Sequence, residues 1–227
     1  MASILFGLVV TDARGKLGGH VFTKGRSGNT LRTKGIPTNP QTAAQQAVRA
    51  SLGALSSAWR ALTEAQRNTW NAAVASFTKT NVFGNSYSPS GKNLYVSLNQ
   101  NLTNAQQATI TAAPEPAAVG AASISALDIA VGTSTMDLTW ANAITGQTVL
   151  VFLTPPMSAG KFFVKSEYRL LTTAVQSSAS PLDLWVAYVA RFGAPLAGQK
   201  VYAKVIPIKN TTGQAGVTET ISDIASA

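Results

Sequence analysis

The hydrophobic period of this chain changes once, and it changes across a segment that can continue neither a helix nor a strand. Upstream, Ala44, Val48, Leu52, Leu55, Trp59 and Leu62 recur every three or four residues, the spacing that lines one face of an α-helix. Downstream, Met136, Leu138 and Trp140, and again Leu182, Leu184, Val186 and Tyr188, recur every second residue, the spacing of a half-buried strand. Between the two lies AAPEPAAVGAAS, residues 112–123, with two prolines and a glycine that argue against any continuing element. The expected fold class is α+β, helical before the break and all-β after it.

The helical part, residues 39–111, begins at Asn39-Pro40, with Asn39 available as N-cap and Pro40 in the first turn. Thr63-Glu64-Ala65-Gln66 fits a capping box and starts a second helix whose stripe is Trp70, Val74 and Phe77. A turn-rich stretch follows, and Leu94, Tyr95, Leu98 and Leu102 suggest a third short helix. Trp59 and Trp70 are the expected anchors of this small bundle, since aromatic burial dominates a small core.

The β part, residues 123–227 after a linker at 112–122, offers seven candidate strands. They lie at 123–131, 135–141, 148–154, 162–171, 182–192, 200–209 and 216–224, with turn signals between them. That pattern suggests an antiparallel β-sandwich of the immunoglobulin or fibronectin-III-like kind. Trp140 and Tyr202 are expected in the core between the sheets, and Trp185 also reads first as core. Asp128 and Asp137 fall in candidate strands and are expected to be exposed rather than paired.

Ahead of the helices, residues 1–38 are glycine-rich and read as an extended basic arm. Val21 and Phe22, then Gly25-Arg26-Ser27-Gly28-Asn29, then Thr30 and Leu31 suggest a two-stranded ribbon about a turn. Such a hairpin is marginal in water when it buries this little apolar surface, so the arm is expected to gain order from what it docks on. Ile36-Pro37-Thr38-Asn39-Pro40 stiffens its exit.

Charge follows the same division. Residues 1–67 hold nine of the 18 Lys and Arg against two acids, Asp12 and Glu64, while residues 68–227 hold the other nine against seven acids. A polyanionic or acidic surface facing the N-terminal third is implied, met by Lys16, Lys24, Arg26, Arg32 and Lys34. Charged residues are only 12% of the chain, about half the usual share, as suits a surface packed against neighbours. A stable extracellular domain would read the same way.

No catalytic residue, cofactor site or metal site is expected. There is no cysteine and one histidine, His20, read as a partly exposed loop residue, which alone cannot hold a metal. Nucleophile elbows, Walker loops and HExxH sequences are absent. The start, MASILFGLVV, lacks a basic leader region and is too short to span a membrane. A cytoplasmic product with no membrane partner is expected, and not an enzyme.

The strings GHVFTKGRSGNTLRTKGIPTNPQTAAQQAVRASLGALSSAWRALTEAQRNTWNAA and FGNSYSPSGKNLYVSLN resemble a family of small virion proteins of tailed bacteriophages and prophages. The likeness rests on a G-x-V-x-x-x-x-R-x-G ribbon and on N-P-x-T-x-x-Q, W-x-x-L-T-x-x-Q-R-x-x-W and S-G-x-N-L-Y segments, over about residues 18–104. Arg26, Arg32, Asn39, Pro40, Trp59, Gln66, Arg67, Trp70 and Asn93 occupy the recurring positions, and the resemblance implies a shared scaffold with a docking ribbon and no catalytic residues. The β-rich part is similar to immunoglobulin-like modules that phage particles display.

The resemblance implies an auxiliary or decoration capsid subunit, made in the host bacterial cytoplasm and located in the virion. Its expected partners are the major capsid protein or other virion subunits, in many copies or as a homo-oligomer. A neck or tail component is the alternative. Two other readings remain open: a nucleic-acid-binding module that uses the arm on DNA, and a secreted adhesive protein with a carbohydrate-binding sandwich.

Overall fold

The structure is a computed structural model that describes residues 2–35, 38–141, 145–175 and 180–227. Ile36 and Pro37, read above as stiffening the arm's exit, lie outside the described residues. The fold is α+β, with four helices and several antiparallel sheets among the described residues. No helix among them is long and apolar enough to cross a membrane. Two compact units divide the chain: residues 1–97 with 111–116, and residues 98–110 with 117–227. The arm expected at 1–38 thus shares a unit with the helices, and residues 98–110 belong with the β-rich part. The linker expected at 112–122 is itself shared between the units.

In the first unit, β1 (Ala2–Ile4), β2 (Gly15–Leu17), β3 (His20–Gly25) and β4 (Gly28–Thr33) form one antiparallel sheet in the order β1-β4-β3-β2. The expected ribbon is its central pair, and each of its strands gains an outer neighbour. Gly25 pairs with Gly28, which leaves Arg26 and Ser27 as a two-residue turn. Gly28 takes φ +110, a conformation that only glycine adopts freely. His20 opens β3, exposed, instead of lying in a loop.

Helix α1 (Ala43–Ala61) is capped by Thr42, whose hydroxyl accepts from the amide of Gln45 at 3.3 Å. Asn39 is therefore not the cap. Gln41 has φ +50, which turns the chain between Pro40 and Thr42 and delays the helix; Asn39 Oδ1 instead accepts from the Arg49 guanidinium at 2.7 Å. Helix α2 (Glu64–Ala73) starts with the expected capping box between Thr63 and Gln66. A short antiparallel pair, β5 (Lys79–Thr80) and β6 (Ser86–Tyr87), precedes α3 (Gly91–Asn104). Trp70 is fully buried, edge-on to Tyr95 with centroids 5.2 Å apart, and its Nε1 donates to the Thr111 carbonyl at 2.8 Å. Trp59 packs on the same tyrosine at 5.4 Å, so both anchors meet through the third helix.

The second unit is built on two antiparallel sheets. β7 (Ile124–Ala130), β8 (Thr135–Trp140) and β12 (Leu182–Asp183) form one in the order β12-β8-β7. β9 (Gln147–Leu153), β10 (Met157–Ser158), β11 (Arg169–Val175) and β13 (Gln199–Lys209) form the other in the order β10-β13-β9-β11, with β14 (Glu219–Ile224) also on β13. Their inward residues share one core, including Ile129, Met136, Leu138, Trp140, Val151, Leu153, Val201, Ala203 and Val205. The Glu219 carboxylate accepts the amides of Ser123 and Ile124 at 3.1 and 2.7 Å, and Asp223 accepts that of Ile129 at 3.0 Å. These acids of β14 thereby satisfy amide donors of β7 and of Ser123 just before it.

Three expectations in this unit are corrected. Residues 182–192 are not a strand: after β12 they form helix α4 (Trp185–Phe192). Leu184 and Tyr188, four apart, are buried, whereas Val186 is exposed, so the helical period governs; Trp185 packs half-buried against the core. Residues 162–168 are not strand either, since the chain turns there, with the Glu167 amide bonded to the Val164 carbonyl at 2.9 Å. Tyr202 lies outside the core, because Val201 and Ala203 occupy the inward phase of β13 and successive side chains alternate.

Residues 98–110 close on themselves through Asn99, whose Oδ1 accepts the Ile110 amide at 2.7 Å. Ala105 packs with Leu150 and Ile208, covering one end of the outer face of the five-stranded sheet. Gly213, at φ +71, comes so close to the Leu98 carbonyl that any side chain would collide with it.

Candidate docking surface

The five expected arm cations do not form one patch. Lys16 and Arg32 lie directly opposite Val21 from either side, on β2 and β4, so the three side chains share one face of the sheet. Val21 is the buried residue between them at 9% exposure. Lys24 points from the other face, where its Nζ donates to Asp12 Oδ2 at 3.0 Å and Arg14 stands 3.6 Å from the same oxygen. That hydrogen bond from Lys24, aided by the nearby positive charges, holds the Asp12 carboxyl below its ordinary value. Lys34 follows β4 directly, with its amide bonded to the Gly19 carbonyl at 2.8 Å.

Arg26 is internally engaged. Its guanidinium donates to the carbonyls of Ser88 and Pro89 at 3.3 and 3.2 Å, and beside it Asn81 Nδ2 donates to the Ser27 carbonyl at 3.0 Å. The hairpin tip is therefore fastened to the segment leading into α3. A ribbon that takes form only by docking on a partner does not describe this sheet. Among the described residues, Lys16, Arg32 and Lys34 make no ion pair.

Around these cations the unit exposes apolar side chains. Leu8 and Val9 lie fully in solvent between β1 and β2, and Leu17 is exposed on β2. The stripe of α1 is covered at Leu55 and Leu62 but open at Val48 and Leu52. The first turns of that helix thus present apolar surface that no described residue of the unit covers.

A second surface, on the second unit, escaped the sequence reading. Lys200, Tyr202 and Lys204 project from the outer face of β13. Lys200 Nζ stands 5.3 Å from the Phe162 centroid and 4.9 Å from that of Tyr202; Lys204 Nζ stands 4.4 Å from Phe152 and 4.9 Å from Tyr168. The Tyr202 hydroxyl donates to the Lys161 carbonyl at 2.6 Å, pinning the 159–168 loop over the face. Burial, with the neighbouring Tyr202, pushes the Tyr168 phenol above its ordinary value. The legible signal was the alternation K-x-Y-x-K in QKVYAKVIPIK, but its partners come from β9 and from the 159–168 loop, and only folding brings them together.

Comparison with known protein families, with curated proteins and with solved structures finds no match for this chain.

Proposed function

We propose that the chain is a structural protein of a tailed-phage virion, an auxiliary or decoration capsid subunit that docks through its N-terminal unit. The observation that carries this reading is the surface of that unit. Lys16 and Arg32, without an ion pair among the described residues, flank Val21 on one face of the sheet, exposed Leu8, Val9, Leu17 and Val48 lie on the same unit, and its acidic Asp12 is already taken by Lys24. An acidic, partly apolar face of a neighbouring virion protein complements such a surface in both charge and hydrophobicity. The β-rich unit, with two antiparallel sheets around one core, is read as an immunoglobulin or fibronectin-III-like module, with α4 as its departure from that pattern. The reading assigns no enzymatic role.

Mass spectrometry of purified particles from the phage or prophage that carries this chain tests the proposal. A copy number approaching that of the major shell protein supports the decoration subunit. A handful of copies places the chain in the neck or tail instead. Absence from the particles overturns a virion role and leaves DNA binding through Lys16 and Arg32, which a mobility shift at low salt would reveal.

A further inference from the structure

The uncovered end of the outer face of the five-stranded sheet combines aromatic rings with cations in an open groove of about 730 Å³. Phe163 is 96% exposed and Phe162 73%, although both sit on a loop held in place. The Tyr202–Lys161 hydrogen bond fastens that loop, and the Lys161–Glu167 ion pair at 3.7 Å closes it. Among the described residues the groove is lined by Lys165 and Lys204 and by no acid, and Lys200 stands over Phe162 at its margin. Large apolar rings kept in solvent beside cations mark a binding surface more than a folding need.

We propose that this face binds single-stranded nucleic acid without regard to sequence, with Phe162 and Phe163 stacking on bases and Lys165, Lys200 and Lys204 meeting phosphates. Stacking tolerates any base, because every base has a flat π-face, and a positive groove follows the backbone. The exposed Lys–ring contacts are weak, so a phosphate can draw each ammonium aside and free a ring face. Sugar recognition fits less well, since the lining holds no amide or carboxylate to read hydroxyls and its two most exposed rings are Phe, which lack a polar handle. An acidic peptide would meet the lysines but leave the rings unused.

The test is fluorescence anisotropy of a labelled oligo(dT) with the full chain in a Lys16→Ala/Arg32→Ala background, which removes the two arm cations that carry the reading above. Binding is expected, with a slope of log K against log salt of about −2 for three phosphate contacts. Phe163→Ala, at a position too exposed to disturb folding, is expected to weaken binding at least about five-fold, and Phe163→Trp to restore it. Circular dichroism confirms that each variant is folded. An affinity unchanged by Phe163→Ala, or polyglutamate competing as well as unlabelled oligo(dT), would overturn the proposal and leave a non-specific cationic patch. Equal affinity for duplex DNA would overturn it as well, because paired bases offer no free faces.

Discussion

Arg26, in the turn between β3 and β4, donates to the carbonyl of Pro89 at 3.2 Å across 63 positions of sequence. With Ser88 as a second acceptor at 3.3 Å, the guanidinium ties the sheet to the start of α3. Arg26→Ala is expected to cost about 1 kcal/mol, the low end for charge-assisted bonds because this one is partly solvated. The loss is expected as faster amide exchange in residues 20–33 and 81–90, with the second unit unaffected. Arg26→Lys is expected to restore little of it, since a single ammonium replaces a planar fork.

Acid should loosen the other face of the same sheet. Asp12 has its carboxyl held below the ordinary value of 3.8, first by the hydrogen bond from Lys24. A depressed carboxyl stabilises the fold above that ordinary value, and the contribution is lost as pH falls through the lower, folded-state value. An NMR titration of the Asp12 carboxyl is expected to give a midpoint below 3.8, and Lys24→Ala is expected to move it back toward that number.

Alkali should act on the second unit. Tyr188 is fully buried, its hydroxyl donates to the Thr154 carbonyl at 3.2 Å, and burial raises its phenol well above the ordinary 10.0. A raised tyrosine favours the folded state fully below the unfolded value, and the benefit disappears as pH climbs past it. Denaturant melts are therefore expected to show stability falling above about pH 10. Tyr188→Phe should flatten that fall while costing about 1 kcal/mol at neutral pH for the lost hydrogen bond.

Asp128, Asp137 and Asp183 line up across β7, β8 and β12 as directly opposed neighbours. Like charges so placed destabilise a sheet. Asp183 also accepts the Trp185 amide at 2.8 Å and so has a local task at the start of α4; among the described residues no such bond is seen for Asp137. Asp137→Lys is expected to stabilise the second unit by about 0.5–1 kcal/mol, measured as a higher denaturation midpoint at low salt and a smaller gain at high salt.

Features carried by local chemistry were legible in the sequence. The capping box at Thr63, the stripe through Leu55 and Leu62, and the long strand β13 all follow from spacing and side-chain type within one segment. Leu182 to Phe192 misled because Leu184 and Tyr188 fit both a period of two and a period near four, and only the exposure of Val186 separates them. Asn39 looked like a cap, yet the left-handed Gln41 moved the helix start to Thr42. The partners of Arg26 and of Lys204 lie far along the chain, and no local pattern announces them. The basic segment was visible as composition, whereas its division between two faces of a sheet depends on register.

Zero-length carboxyl–amine cross-linking of intact purified particles, read by mass spectrometry, tests most directly whether the N-terminal unit docks on a virion neighbour. The account predicts links from Lys16 and Lys34 to aspartates or glutamates of another virion protein, lost in Lys16→Ala particles at the first position. Links to other proteins arising only from lysines of the second unit, such as Lys161 or Lys209, with Lys16 and Lys34 unmodified and free, would contradict it.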